Sequence, residues 1–179
     1  MLQKSSIVRT LEIFFREPNK EQYLMDISRS IKLAHTSVKS NLTRLVKMNL
    51  ITESIEKRGE RKFPAYRAKK ESKSFRNYKQ VYNLNCILES GLVEFIEEKL
   101  TPKSLVLFGS YCRGEDDETS DIDLFLECKR EGISADKFQQ KLGRKIELHF
   151  SENFSLLPKE LKNNIANGIV LSGFLEVYK

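Results

Sequence analysis

Cysteine and histidine are scarce in this chain of 179 residues, which has three cysteines and two histidines. Cys86, Cys112 and Cys128 are widely spaced and odd in number. This pattern argues against a disulfide framework and favours free thiols in a reducing compartment. With so few histidines and no paired cysteines, a zinc site is not expected. We therefore expect a cytoplasmic protein.

Long apolar runs are also absent. No run approaches the roughly 18 residues that cross a bilayer, so no membrane partner is expected. Residues 1–5 lack the apolar core of a signal peptide. No internal repeat or low-complexity segment appears. Apolar residues nevertheless make up 40% of the chain and recur throughout it, so the 31% charged content does not indicate disorder.

Positive charge is unevenly distributed. Residues 1–70 hold 16 lysines and arginines against 7 acidic residues, a net charge of +9. Residues 71–179 hold 15 basic and 18 acidic residues, a net charge of −3. A basic module beside a mildly acidic one predicts that the first module binds an anionic polymer.

The first 70 residues show helical spacing of apolar side chains and then two short strand-like runs. The predicted elements are a helix from Ser5 or Ser6 to Pro18, helices at about 20–31 and 36–48, and strands at 50–55 and 63–68. A charged turn around Gly59 separates the two strands. Three helices followed by a hairpin resemble a winged helix-turn-helix domain, which we place at residues 1–70.

That resemblance implies contact with duplex DNA, because the third helix of such domains enters the major groove and the wing touches the backbone. The implied DNA-binding residues are Lys39, Ser40, Thr43 and Arg44 on the helix, and Lys57, Arg58, Arg61 and Lys62 on the wing. Two alternatives stay open: a solvated helix face, and a winged helix that contacts protein. Residues 71–90 are predicted to form a connecting helix that could pair with a second copy, which predicts a homodimer.

Residues 104–123 contain most of the candidate catalytic residues. An apolar strand at Ser104–Phe108 leads into Gly109-Ser110, and Asp121 and Asp123 follow at alternate positions. Side chains two apart in a strand share a face, so these carboxylates lie about 7 Å apart and repel each other without a cation. An all-oxygen site of this kind suits Mg²⁺. A Gly-Ser turn at a helix start offers N–H groups and a hydroxyl to phosphate.

The order Gly-Ser, Arg-Gly and Ser-Asp-Ile-Asp-Leu resembles the signature of the DNA polymerase β-like nucleotidyltransferases, in their minimal single-domain branch. The resemblance covers roughly Thr101 to Lys179. It implies an α/β (α+β) domain at residues 91–179, with a mixed β-sheet flanked by helices. It also implies that Asp121 and Asp123 hold two Mg²⁺ ions and that Gly109 and Ser110 hold the triphosphate.

Glu147 departs from the family's usual residue, and Arg113 has two alternative roles. The family usually has a third carboxylate, most often Asp, on the next strand; here Glu147 stands on the face opposite Ile146, Leu148 and Phe150. We take Glu147 as the third catalytic and metal-binding residue, although its side chain is one methylene longer. Arg113 is a candidate phosphate partner, or else it braces the loop by pairing with a nearby acidic residue.

Two classes of function follow. In the first, the protein is a magnesium-dependent enzyme that transfers a nucleoside monophosphate from a nucleoside triphosphate to an acceptor, while a winged helix binds DNA. In the second, it is a DNA-binding transcriptional regulator or an antitoxin-like protein whose nucleotidyltransferase fold binds without turnover. Minimal nucleotidyltransferases resemble antitoxins that pair with a separate HEPN-type protein, so such a partner is a further expectation.

Overall fold

The computed structural model describes residues 4–58 and 61–178, and the side chains of Arg58 and Arg61 are outside that description. The chain divides into two compact units, Met1–Tyr82 and Asn83–Lys179. The division falls within a single long helix, α4 (Lys73–Ser90), at the position of the predicted connecting helix. None of the helices in the described ranges is long and apolar enough to cross a membrane.

The first unit contains three helices and a three-stranded antiparallel sheet of order β1-β3-β2. Its elements before α4 are α1 (Ser6–Arg16), β1 (Gln22–Tyr23), α2 (Leu24–Ile31), α3 (His35–Lys47), β2 (Ile51–Arg58) and β3 (Arg61–Ala68). The prediction that the second helix begins near residue 20 is wrong. Gln22 and Tyr23 are extended because they pair with Tyr66 and Ala65 of β3, so the helix begins only at Leu24.

The core of this unit forms where the helices meet. On α3, Val38, Leu42 and Leu45 are buried and Val46 is half-buried. One polar contact joins α1 to α3: Asn41 Nδ2 donates to Thr10 Oγ1 at 3.0 Å, and both side chains are buried. A buried polar pair of this kind is favourable only because each group satisfies the other.

The second unit is a four-stranded mixed sheet of order β6-β5-β4-β7, flanked by helices. Its elements after α4 are α5 (Leu92–Leu100), β4 (Ser104–Phe108), α6 (Gly109–Arg113), β5 (Ile122–Leu126), α7 (Asp136–Leu142), β6 (Ile146–Phe150), α8 (Lys159–Ala166) and β7 (Ile169–Gly173). β5 and β6 are parallel, whereas β4 is antiparallel to both of its neighbours. The predicted fold class, α+β with a mixed sheet, is confirmed.

The sheet has a packed layer on each face. On one face, Ile96 of α5 and Phe138 of α7 belong to the same core as Leu107, Leu124 and Ile146 of the strands. On the other face, Val106, Phe108 and Phe125 pack with Phe154 and Ile165. Because alternate residues of β5 take opposite faces, Asp123 shares the second face with Phe125. That face therefore changes from apolar to polar toward the start of β5.

Candidate functional site

Strand register brings the predicted acidic residues together. In the parallel pair, Asp123 of β5 stands opposite Glu147 of β6. In the antiparallel pair, Asp123 stands opposite Phe108, the last residue of β4, and Gly109 follows at once. Asp121 lies just before β5 begins. The Gly-Ser turn and the carboxylates thus meet at one end of three neighbouring strands.

Gly109 lies directly against the central carboxylate. A Cβ atom at this position would stand only 2.2 Å from Asp123 Oδ2, and the backbone φ is +78°. Both features require glycine, since a side chain would collide with the carboxylate and L-residues disfavour this backbone region. The contact fixes how closely the turn approaches the acidic site.

His149 is a site residue that sequence reasoning did not assign to any role. Its Nε2 lies 3.4 Å from Asp123 Oδ1, and its ring meets the ring of Phe108 edge-on at 5.1 Å between centroids. One ligand atom each from Asp123, Glu147 and His149 lies within 4.8 Å of the others. Strand alternation was the signal, because it predicts that His149 shares a face with Glu147.

Lys145 is a second residue that sequence reasoning missed. Its ammonium lies 2.5 Å from Glu147 Oε1 and 3.6 Å from Asp121 Oδ2. Residue 145 precedes β6, so strand alternation alone did not assign its side chain to a face. The site therefore contains a positive charge between two of its three carboxylates.

The pKa values of Asp123 on β5 and Glu147 on β6 are shifted in opposite directions. Burial raises the pKa of Asp123; the nearby Glu147 and Asp121 raise it further, and His149 partly offsets the effect. The hydrogen bond and charge of Lys145 lower the pKa of Glu147. A half-buried carboxylate whose charged form is disfavoured is stabilised by a bound cation. The donor set, carboxylates with one imidazole, fits a divalent metal ion.

Comparison with known proteins agrees with this geometry. Residues 89–171 match the nucleotidyltransferase domain family. The matched segment contains α5, strands β4 to β6 and the acidic site. No curated protein matches the chain. A solved structure described as a "possible transcriptional regulator" from Methanosarcina mazei Go1 is similar at 18% identity, over 54% of this chain and 76% of that chain, with a TM-score of 0.38.

In the second unit, Arg113 contacts a neighbour in its own loop. Its Nε donates to Glu115 Oε2 at 2.7 Å, and both side chains are exposed. This contact favours the loop-bracing interpretation of Arg113 over phosphate binding. Ser110 is half-buried, and its carbonyl oxygen accepts the N–H of Glu115 at 3.0 Å.

A buried ion pair anchors the loop that carries the signature. Asp116 is 1% exposed; its Oδ2 accepts from Arg144 Nη2 at 3.1 Å and its Oδ1 accepts from Asn83 Nδ2 at 2.7 Å. Asn83 also donates to the carbonyl of Tyr111 at 2.8 Å, and Arg144 donates to that of Ser120 at 3.3 Å. These bonds tie both ends of the loop to the domain. No sequence pattern indicated them, because the partners are 24 or more residues apart.

The predicted DNA-binding residues of the first unit are largely on the surface. Lys39, Ser40, Thr43 and Arg44 are all exposed on α3, and Lys57 and Lys62 are exposed on β2 and β3. Residues 59–60 and the side chains of Arg58 and Arg61 lie outside the described residues. The exposed face of α3 is compatible with both a groove-binding helix and a solvated one.

Gly109→Ala is expected to destabilise the second unit and displace Asp123. The left-handed backbone costs a residue with a Cβ about 1–2 kcal/mol, and the collision with the carboxylate adds to that cost. Gly143→Ala is a matched control, because Gly143 has a similar φ of +65° and no atom within 4 Å of the added Cβ. Denaturant unfolding of both variants measures the difference. Equal losses of stability would show that the approach of Gly109 to Asp123 is unimportant.

Proposed function

We propose that the protein is a metal-dependent nucleotidyltransferase that moves a nucleoside monophosphate from a nucleoside triphosphate to an acceptor hydroxyl. The observation that carries this proposal is the meeting of Asp123 and Glu147, with Asp121 beside them, at the Gly109-Ser110 turn. This meeting occurs inside a domain that matches the nucleotidyltransferase family. Carboxylates beside a Gly-Ser turn suit a metal-bound triphosphate, because carboxylates hold the metal ion and backbone N–H groups hold phosphate.

In the proposed reaction, the acceptor oxygen attacks the α-phosphorus and pyrophosphate leaves. Divalent cations, when bound, stabilise the attacking and leaving oxygens. Asp121, Asp123 and Glu147 hold the cations, and Gly109 and Ser110 orient the triphosphate against them. Positioning contributes most to such a reaction, since a displacement near 1 Å can cost about a hundredfold in rate. The contact between Gly109 and Asp123 holds the turn and the carboxylate in register.

The ammonium of Lys145 favours a second candidate function. It already neutralises charge on Glu147 and Asp121, which a second metal ion would otherwise do. In this alternative the domain binds a nucleotide or a protein partner without turnover, and the chain acts as a DNA-binding regulator or antitoxin-like protein. A separate HEPN-type partner belongs to this alternative, whereas a homodimer through α4 is compatible with both.

A transfer assay separates the two candidates. The protein is incubated with each α-labelled nucleoside triphosphate, Mg²⁺ or Mn²⁺ and cell extract, and label is sought on protein, RNA and small molecules. The control is the double variant Asp121→Asn, Asp123→Asn. Label above the control supports the enzyme. No label with any of the four nucleotides contradicts it and favours the binding protein.

We further propose that residues 1–70 bind duplex DNA as a winged helix-turn-helix, through the exposed face of α3 and the β2–β3 hairpin. Support comes from the net charge of +9 in this segment and from the order of three helices followed by a hairpin. The third helix would enter the major groove. The exposed Lys39, Ser40, Thr43 and Arg44 would face the bases and phosphates.

Changing Lys57, Arg58, Arg61 and Lys62 together to Ala is expected to weaken DNA binding and flatten its dependence on salt. Each lost phosphate contact reduces the slope of log affinity against log salt by roughly 0.9. Fluorescence anisotropy with a duplex at several salt concentrations measures this slope. A matched control changes the same number of exposed basic residues in the other unit, Lys99, Lys129, Arg130 and Lys159. An equal slope in both variants would contradict backbone contact by the hairpin.

A further inference from the structure

The cluster of Asp123, Glu147 and His149 differs from an all-oxygen magnesium site because one of its donors is nitrogen. His149 Nε2 and Asp123 Oδ1 are 3.4 Å apart. Two ligands at about 2.0–2.1 Å from a tetrahedral ion are separated by roughly 3.3 Å. The spacing of this pair is therefore that of two atoms bound to one metal ion.

The remaining donor needs only a side-chain adjustment. The ligand atom of Glu147 lies within 4.8 Å of the other two, and its side chain is 40% exposed on β6. Rotation about the flexible bonds of Glu147 can close this distance without moving the strand. The backbones of Asp123 and Glu147 are already held opposite each other by the parallel pairing.

The imidazole of His149 is held in place from two directions. Asp123 contacts its Nε2, and the ring of Phe108 packs against it edge-on. Since Phe108 immediately precedes Gly109, the same strand end positions both the turn and the imidazole. A ligand that is fixed before the ion arrives loses little freedom on binding.

We propose that Asp123, Glu147 and His149 form a mixed carboxylate–imidazole centre that prefers a first-row transition-metal dication to Mg²⁺, with His149 binding through Nε2. Imidazole favours transition metals, whereas Mg²⁺ requires oxygen ligands. The sequence-based expectation against a zinc-type site considered cysteine and histidine alone and left out carboxylates. The inference rests on the proposed function only in using the same site, and its test does not need nucleotide transfer.

The test uses the full-length protein after metal removal by a chelator. Co²⁺ is titrated and followed by its visible absorption, and Mn²⁺ and Mg²⁺ are titrated by calorimetry. His149→Gln should weaken Co²⁺ affinity by more than about tenfold, since even indirect supports of a metal site are worth 10–100-fold. It should leave Mg²⁺ affinity almost unchanged. His35→Gln is the matched control, because His35 is the only other histidine and is exposed in the other unit.

A second variant keeps the result interpretable. His149→Asp makes the donor set all oxygen and should shift the preference toward Mg²⁺. If His149→Gln keeps the Co²⁺ affinity and spectrum of the unaltered protein, or if the unaltered protein prefers Mg²⁺, the inference is wrong. His149 is then only a hydrogen-bonding partner of Asp123. Transition-metal binding through His149 without nucleotide transfer would support the inference and contradict the proposed enzyme activity. Nucleotide transfer with no effect of His149 on metal binding would support the enzyme activity and contradict the inference.

Discussion

Asp123→Asn is expected to abolish nucleotide transfer while leaving the fold at least as stable as before. Asp123 is the central carboxylate, with Gly109 against one oxygen and His149 against the other. An amide keeps the shape of the side chain but removes the charge that would hold the proposed cation. The loss should exceed about a hundredfold, the scale set by displacing reacting groups by about 1 Å.

The pKa of Asp123 sets the sign of the stability change. Burial raises this pKa in the folded protein, so stability is highest when the carboxyl is protonated and is lost as pH rises through the folded pKa. At neutral pH the ionised group therefore costs stability in the metal-free protein. Asn is neutral at every pH, so the variant should unfold at the same temperature or higher.

Three measurements check this prediction. They are the rate of label transfer, the unfolding temperature without metal, and the rise in that temperature when metal is added. Metal binding to the folded state stabilises the unaltered protein by mass action, and the variant should lose most of this gain. Asp26→Asn is the control, because Asp26 is exposed on α2 and pairs with Arg29 at 3.6 Å. Transfer by Asp123→Asn at the unaltered rate would place the reaction elsewhere in the chain.

The acidic site was predictable where strand alternation decides the outcome. The pattern at Asp121 and Asp123, and that of Glu147 against Ile146 and Leu148, gave the faces on which these side chains lie. The pairing of β5 with β6 was not predictable in the same way, because parallel partners are joined through an intervening helix and no local pattern records their register. The residues were therefore foreseen from the sequence, whereas their convergence was expected from the family resemblance and not from any local pattern.

The misplaced start of the second helix has a similar cause. Residues 20–23 are compatible with a helix by local preference, but the pairing of Gln22 and Tyr23 with β3 takes their backbone groups into a sheet. Tertiary pairing overrides weak local propensity. Lys145 was missed for a related reason: its long side chain reaches two carboxylates from outside a strand.

Arg144→Leu is expected to destabilise the second unit by up to about 3–5 kcal/mol. Asp116 and Arg144 form an ion pair at 3.1 Å whose side chains are 0% and 9% exposed. Removing the Arg144 guanidinium takes a cationic partner away from a carboxylate that stays buried, and this loss is larger than the net contribution of the intact pair. The hydrogen bond from Asn83 to Asp116 remains.

An exposed pair in the same loop provides the control. Arg113→Leu breaks the ion pair between Arg113 and Glu115, whose side chains are 49% and 40% exposed. The loss of stability should be less than about 1 kcal/mol, because water screens the charges. The double variant Asp116→Asn, Arg144→Leu should recover part of the loss, since the buried side chain at position 116 is then neutral. Urea unfolding of the four proteins measures these values. Equal effects of Arg144→Leu and Arg113→Leu would show that the loop is not anchored through Asp116. If Arg144→Leu lost nucleotide transfer and the double variant regained it, the anchor would be shown to position the turn at Gly109 against the carboxylates.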